Sequence, residues 1–332
     1  MAGIFLAVDL GGTKIVSCVA VDGRVSARVK VKTEVDAGPM GIVRQIADCC
    51  GRALAARGLP WDAVSAVGVA VPGLVEHATG TVLEAPNLGW SSFKARAKLE
   101  AVLGRPVVLE NDVNAGLVGE WAYGALRPFR TACASGDCVP LAAVFVGTGV
   151  GGALMVDGRL VTGASGIAGE LGHMKVLAGG PRCSCGSRGC LEALASRSAI
   201  EKAVGKRRLT SGRIKELLER KGKKRLKGAV SRAAYYLGIG VSNVVNIFNP
   251  RAVVLGGGFM EALGKRLLPD VIESAREHSF RRAFADCRIL LSELGDDAVP
   301  LGAACLAGAR SRPEAERAGR PLGKALAAGE RS

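Results

Sequence analysis

Two stretches of this chain follow one plan, and together they restrict its fold more than any other feature. Ile4 to Val8 is a short, continuously apolar run that leads into D-L-G-G-T-K, Asp9 to Lys14, and the apolar pattern resumes from Ile15 to Val21. Leu141 to Val146 is again apolar, V-G-T-G-V-G-G (Val146 to Gly152) makes a turn, and Ala153 to Val156 begins a return strand. A strand, a glycine turn and a returning strand form a hairpin whose backbone can come close to a phosphate. In the first hairpin Gly11 and Gly12 permit that approach. Thr13 adds a hydroxyl, Lys14 a positive charge, and Asp9 a carboxylate able to hold a hydrated Mg2+. Thr148 and Gly149 take the same place in the second. Neither is the dinucleotide fingerprint or the P-loop, because a strand rather than a helix follows. Hairpins of this kind without function are common. Two of them, each opening one half of the chain, predict a duplicated unit with a nucleotide's phosphates clasped between two lobes.

The second constraint is G-E-L-G-H-M-K-V-L-A-G-G-P-R-C-S-C-G-S-R-G-C-L-E, Gly169 to Glu192. Cys183, Cys185 and Cys190 are spaced so that three thiolates can face one point, and His173 lies upstream across a loop long enough to fold back. That Cys3His set suits tetrahedral zinc. Gly186 and Gly189 allow the positive φ values that aim the sulfurs inward. A buried thiol cluster is the plainer alternative. A disulfide fits poorly, since Cys183 and Cys185 are too close to pair easily and three cysteines leave one over. Glu170 and Glu192 flank the set. They are either solvated surface charges or, held on a rigid loop with the imidazole, groups that grip sugar hydroxyls.

Three more motifs fall at strand ends or in loops. A-P-N-L-G-W, Ala85 to Trp90, is a loop in which Asn87 is either an ordinary turn residue or a hydroxyl ligand. E-N-D-V-N-A, Glu110 to Ala115, follows a strand over Val107 to Leu109 and opens a helix running through Trp121. Asp112 there is a general base or a helix N-cap, and Asn111 and Asn114 favour a polar site. Gly256 to Gly258 follow a strand over Ala252 to Leu255 and open a helix near Phe259, where a base and ribose can approach the backbone. Elsewhere the pattern gives a strand over Arg24 to Lys32, a helix over Gly41 to Arg57, a strand over Val64 to Val71, and a long helix over Ala229 to Phe248. Leu126 to Pro140 reads as irregular.

With 332 residues and 48% hydrophobic content, the chain can bury a large core in two lobes. Aromatics at 4% argue against nucleic-acid stacking surfaces. The net charge of +15 is concentrated from Lys202 to Lys227, where Glu216 and Glu219 are the only acids; helical periodicity there predicts a solvated basic face. No secretory signal and no long apolar span are present, and ten cysteines without a regular framework point to reduced thiols, one metal site and a cytoplasmic location.

D-L-G-G-T-K, P-N-L-G-W, E-N-D-V-N-A, G-T-G-V-G-G, G-E-L-G-H, C-S-C-G-S-R-G-C-L-E and L-G-G-G, in that order, resemble the ROK group of sugar kinases within the actin-like ATPase superfamily. The resemblance covers Ile4 to about Ala309. It implies an α/β, two-lobed actin-like ATPase (ribonuclease H-like) fold of duplicated βββαβαβα units with a cleft between lobes. Residues 1–118 would form the N-terminal lobe and 119–299 the C-terminal lobe with the zinc loop. Residues 300–310 would be a small-residue helix packing back on the first lobe, and 311–332 a disordered basic tail. It further implies transfer of the γ-phosphate of ATP to the 6-hydroxyl of a hexose, glucose first, with fructose, mannose, N-acetylglucosamine and N-acetylmannosamine open and a non-catalytic sugar sensor as the alternative. Asp112 would be the catalytic base. Asn87, Asn111, Glu170, His173 and Glu192 would hold the sugar, with His173 binding zinc through its other ring nitrogen. Asp9, Gly11, Gly12, Thr13, Lys14, Thr148 and Gly149 would line the phosphates and Mg2+, and Gly256, Gly257 and Gly258 the adenosine. Zinc would be structural and a homodimer is the family habit. Repressors of the group carry a winged helix-turn-helix first, for which a strand beginning at Ile4 leaves no room. The charge keeps polyphosphate open as a donor.

Overall fold

The computed structural model describes residues 3–206 and 208–310, so the expected tail at 311–332 lies outside the described residues. These residues divide into two compact units, one of 3–138 with 157–168 and 296–310, the other of 139–156 with the described part of 169–295.

The first unit opens with β1 (Ile4–Leu10), β2 (Lys14–Val21) and β3 (Arg24–Lys32), followed by α1 (Gly38–Ala55) and β4 (Val64–Val71). A small antiparallel sheet of β5 (Leu74–Glu76), β6 (Thr81–Ala85) and β7 (Trp90–Phe93) precedes α2 (Ala95–Leu103), β8 (Val107–Asn111), α3 (Asp112–Tyr123) and α4 (Arg127–Ala134). The main sheet runs β3-β2-β1-β4-β8, with β1 antiparallel to β2 and parallel to β4, and β4 parallel to β8. Apart from Asp9 near the end of β1 and the exposed Ser65 near the start of β4, both strands are apolar because both of their faces are covered. Leu6, Val8 and Leu10 share a core with Ile42, Val43 and Ile46 of α1.

The second unit repeats the order. β9 (Leu141–Val146) and β10 (Val150–Val156) are followed by β11 (Arg159–Leu160), which lies in the 157–168 segment counted with the first unit, and then by α5 (Glu192–Ala195), α6 (Arg197–Val204), α7 (Ser211–Glu219), α8 (Lys224–Phe248) and β12 (Ala252–Gly256). α9 (Gly258–His278), α10 (Arg281–Ala285) and β13 (Arg288–Leu291) follow, and the sheet runs β11-β10-β9-β12-β13. Third, second, first, fourth, fifth is thus the strand order of both sheets. The expected basic face is present: Arg213, Lys215, Lys224 and Lys227 are exposed while Ile214, Leu217 and Leu226 are buried. α8 begins five residues before the expected start at Ala229, because Leu226 continues its apolar stripe.

The boundary expected at 118 falls inside α3, an unbroken helix, and the first unit instead runs on to Cys138. Leu126 to Pro140 is not irregular throughout. It contains α4, after which a turn, with the Asp137 N–H donating to the Ala132 carbonyl at 3.0 Å, folds the chain back so that Cys133 and Cys138 pair as a disulfide. The expectation of thiols alone is corrected on this point; the other eight cysteines are free.

α11 (Ala298–Arg310) packs on α3, β1 and β4. The α3–α11 crossing is made by glycines: a Cβ on Gly302 would stand 1.7 Å from the Ala115 carbonyl oxygen, and one on Gly119 2.0 Å from that of Ala298. Backbone blocks both positions, so neither can be relieved by a rotamer change. Gly302→Val is expected to destabilise the protein by at least the ~1–3 kcal/mol usual for overpacking, measured by urea unfolding; an unchanged midpoint would mean the helices do not meet there.

Candidate active site

Gly11 to Thr13 join β1 to β2 in a turn that is pinned from the end of β3. Thr33 donates its N–H to the Thr13 carbonyl (3.2 Å) and its hydroxyl to that of Gly11 (2.6 Å). Thr13 is exposed, and Lys14 Nζ lies 3.7 Å from an Asp296 carboxylate oxygen. Desolvation pushes the Asp9 carboxyl above its ordinary range; the Lys14 cation opposes this, Asp296 adds to it and Arg28 opposes it. A divalent cation at that carboxylate would supply the charge that keeps it ionised.

Gly12 is glycine for a reason the sequence did not disclose. A Cβ there would stand 2.7 Å from the Asn87 carbonyl oxygen. The short 3-10 turn Pro86–Leu88, ended by Gly89 in the left-handed region, therefore lies on the hairpin and places exposed Asn87 beside it.

At the end of β8 the structure separates two roles that the sequence left together. Asn111 is the N-cap of α3, its Oδ1 accepting from Val113 N (2.9 Å) and Asn114 N (3.2 Å). Its Nδ2 donates to the Gly73 carbonyl at 3.2 Å. Asp112 is then the first helical residue, half-buried, with Oδ1 accepting from Val113 N at 2.9 Å. Its carboxylate sits where the helix dipole favours negative charge. Glu110, which sequence reasoning passed over, is buried under both.

In the second unit the turn of the β9–β10 hairpin is closed by Gly147 N donating to Gly149 O (2.9 Å). The exposed Thr148 accepts from Arg197 Nη2 at 2.6 Å, and Arg197 also donates to Glu201 (2.5 Å) and to the Leu209 carbonyl (2.7 Å). Arg197 had no motif to mark it. Gly149 repeats the logic of Gly12: a Cβ there would stand 2.3 Å from Glu192 Oε2. Glu192 in turn accepts from Val150 N (3.2 Å) and from the Ser184 hydroxyl (2.8 Å), so it joins the hairpin to the cysteine loop. Because only the end of a flexible side chain blocks it, Gly149→Ala is expected to fold normally while displacing Glu192. Melting should stay unchanged while the Val150 N–H, released from Glu192, exchanges with solvent roughly 10-fold or more faster, the scale of one hydrogen bond to a charged group; unchanged exchange would mean that Glu192 does not hold the hairpin.

Ligand atoms of His173, Cys183, Cys185 and Cys190 all lie within 4.8 Å of one another. Cys185 Sγ is 3.7 Å from Cys190 Sγ, and Cys183 Sγ is 3.7 Å from His173 Nδ1. Tetrahedral geometry with metal–sulfur bonds of about 2.3 Å requires sulfurs about 3.8 Å apart, so the four groups fit a metal. Gly186 and Gly189 have φ of 87° and 73°, and a Cβ on Gly189 would collide with the Leu177 carbonyl. Backbone hydrogen bonding at Ser187 leads the causes that lower the Cys185 thiol, whereas burial pushes Cys183 up to about 11. Lys175 Nζ lies 3.0 Å from Cys190 Sγ, a cation placed to offset the net negative charge that three thiolates leave on a divalent ion. With Nδ1 turned to the cysteines, His173 Nε2 faces Glu170 at 3.9 Å.

The three glycines after β12 differ in purpose. A Cβ on Gly256 would strike the Phe145 ring at 2.6 Å, and one on Gly257 (φ 83°) would stand 2.7 Å from the Val146 carbonyl oxygen. Both are explained by packing on β9. Only Gly258, at the start of α9, faces open space. A cavity of about 360 Å³ lies farther along, between Leu218 and Glu219 of α7 and Glu261 and Leu263 of α9.

The family model described as the ROK family matches residues 5–310. A glucokinase of Thermotoga maritima is 32% identical over 91% of this chain and 96% of its own. The crystal structure of a ROK family glucokinase from Streptomyces griseus in complex with glucose and AMPPNP superposes with a TM-score of 0.76 at 31% identity, over 92% of this chain and 99% of that one. A xylose repressor of Caldicellulosiruptor bescii is 34% identical over 73% of this chain, which spans 61% of the repressor's length.

Proposed function

Since this chain belongs to the ROK family, we propose that it is an ATP-dependent sugar kinase acting on the 6-hydroxyl of a hexose, with glucose the first substrate. The observation that carries the reading is at the β8–α3 junction: Asn111 performs the capping, and Asp112 is placed on the helix N-terminus as a carboxylate. Asp112 takes the hydroxyl proton as that oxygen attacks the γ-phosphorus. The first hairpin with Thr13 and Lys14, and the second with Thr148, hold the phosphates. Asp9 would hold Mg2+, which supplies neutralising charge on them. Asn87, Asn111, Glu170, His173 Nε2 and Glu192 orient the sugar, and positioning of this kind accounts for much of the rate in phosphoryl transfer. Gly258 admits the nucleoside at the start of α9. The cavity beyond it, with Leu218 and Leu263 as walls and Glu219 and Glu261 as acceptors for an exocyclic amine, suits the base.

The metal we assign to the Cys3His set is zinc, in a structural role: three thiolates and one imidazole close all four positions and leave none for a reacting water. His173 Nδ1 and Cys183, Cys185 and Cys190 would hold it, which fixes the ring so that Nε2 is presented with Glu170. No described helix is long and apolar enough to cross a membrane. We propose a cytoplasmic location on a separate ground, the use of ATP as donor. We expect a homodimer.

The test is a coupled assay with glucose, fructose, mannose, N-acetylglucosamine and N-acetylmannosamine, each with ATP and with polyphosphate as donor. Turnover of glucose with ATP supports the reading. Binding of a sugar without turnover under any donor would replace it with a sensor.

A further inference from the structure

Glu110 is a deeply buried acid next but one in sequence to the proposed base, its side chain only 3% exposed. A carboxylate in that position is costly unless its oxygens are occupied. Three described donors occupy them: Asn111 N (2.9 Å), Asn114 Nδ2 (3.0 Å) and His77 Nε2, which lies 2.8 and 2.9 Å from the two oxygens. The first two belong to the β8–α3 junction itself. His77 arrives from the turn between β5 and β6, a separate layer of the same unit.

That turn is built to present the ring. Arg96 of α2 donates from Nη2 to the His77 carbonyl (2.6 Å) and from Nη1 to that of Ala78 (3.4 Å). Gly80 (φ 70°) lets the turn lie against Arg96, since a Cβ there would stand 2.4 Å from the arginine Cβ. A chain of hydrogen bonds thus runs from α2 through the His77 ring to Glu110 and on to the backbone of Asn111, the residue whose side chain caps α3 and which is bonded to Asp112.

We infer that His77 is a positioning residue: through Glu110 it fixes the backbone at Asn111, and so the direction of the Asp112 carboxylate. The inference rests on the assignment of Asp112 as base. Without the imidazole donor one side of Glu110 is left unsatisfied in a buried place. The carboxylate then relaxes toward solvent and takes the Asn111 N–H with it, and a shift of about 1 Å at a reacting group is enough to cost on the order of 100-fold in rate. The substrate is not touched by His77, so the loss falls on kcat rather than on KM.

The test compares His77→Leu, which keeps the bulk and removes the donor, with His77→Gln, whose amide nitrogen can reach the same position. His77→Leu is expected to lower kcat by roughly 10-fold or more with hexose and ATP KM within about 2-fold of wild type, and His77→Gln to restore most of it. In an Asp112→Asn background the His77→Leu change should have no further effect on kcat, since both act on one group. If His77→Leu does not fold, His77→Asn, whose shorter amide leaves a gap to Glu110, is measured with the same expectation. A leucine or asparagine variant with wild-type kcat, a loss of rate that glutamine does not restore, or an equal loss in the Asp112→Asn background would each overturn the positioning role. A wild type that turns over no sugar removes the kinase reading and this inference together, whereas an active wild type with an unaffected variant removes only the inference.

Discussion

Asp112→Asn is expected to bind hexose within a few-fold of wild type while kcat falls by roughly 100-fold or more, the scale for losing a general base. The substitution keeps size, and an amide oxygen can still accept the Val113 N–H that now reaches Asp112 Oδ1 at 2.9 Å. The cap of α3 is untouched because Asn111 makes it. Folding and the sugar contacts should therefore survive, and only proton acceptance is lost. Calorimetric titration of the hexose beside steady-state kinetics checks both halves. A variant with near-normal kcat would show that the attacking hydroxyl loses its proton elsewhere, and a variant that binds no sugar would make Asp112 a ligand rather than a base.

Removal of the metal is expected to have an effect of comparable size. We expect about one zinc per chain, and stripping it with a chelator, or replacing Cys190 by Ser, should abolish hexose binding and with it turnover. Free of metal, His173 is no longer held by its Nδ1, and the Cys183–Glu192 segment loses the anchor that sets Glu192 against Val150. The thiols then report the change in a fixed order. Cys185 is exposed with its thiol lowered, so it should be alkylated first at neutral pH. Cys183, at about 11, should follow slowly, and the buried Cys50 and Cys305, each pushed up to about 12, should stay silent. Mass mapping of alkylation with and without chelator measures this. Full binding and turnover in metal-free protein would leave the cysteine loop with no part in the sugar site.

Much of this was readable in one dimension because it depends on local rules. Strand and turn alternate in Ile4–Val21 and Leu141–Val156 whatever surrounds them, and both hairpins appear where expected, the widest difference being β10, which begins at Val150, three residues before Ala153. Three cysteines and a histidine at that spacing have few fates, and their ligand atoms do converge. What escaped was of three kinds. Glu110, Arg197 and Lys175 act through partners distant in sequence or without a motif, so no spacing marks them. The Cys133–Cys138 pair depended on a turn after a helix that the short basic segment concealed. The glycines of the two hairpins were visible, but the neighbours they make room for were not.

Gly12, Gly149, Gly256 and Gly257 show where the division lies. By itself the order of residues determined that glycine must stand there and that two similar halves would form. Only the folded chain decided what each missing side chain makes room for: Asn87 over Gly12, Glu192 over Gly149, and the end of β9 over Gly256 and Gly257. The reason is physical. Periodicity and turn preference arise from neighbours along the backbone, whereas steric exclusion and hydrogen bonding act between whatever atoms the tertiary structure brings within a few ångströms, at any separation in sequence.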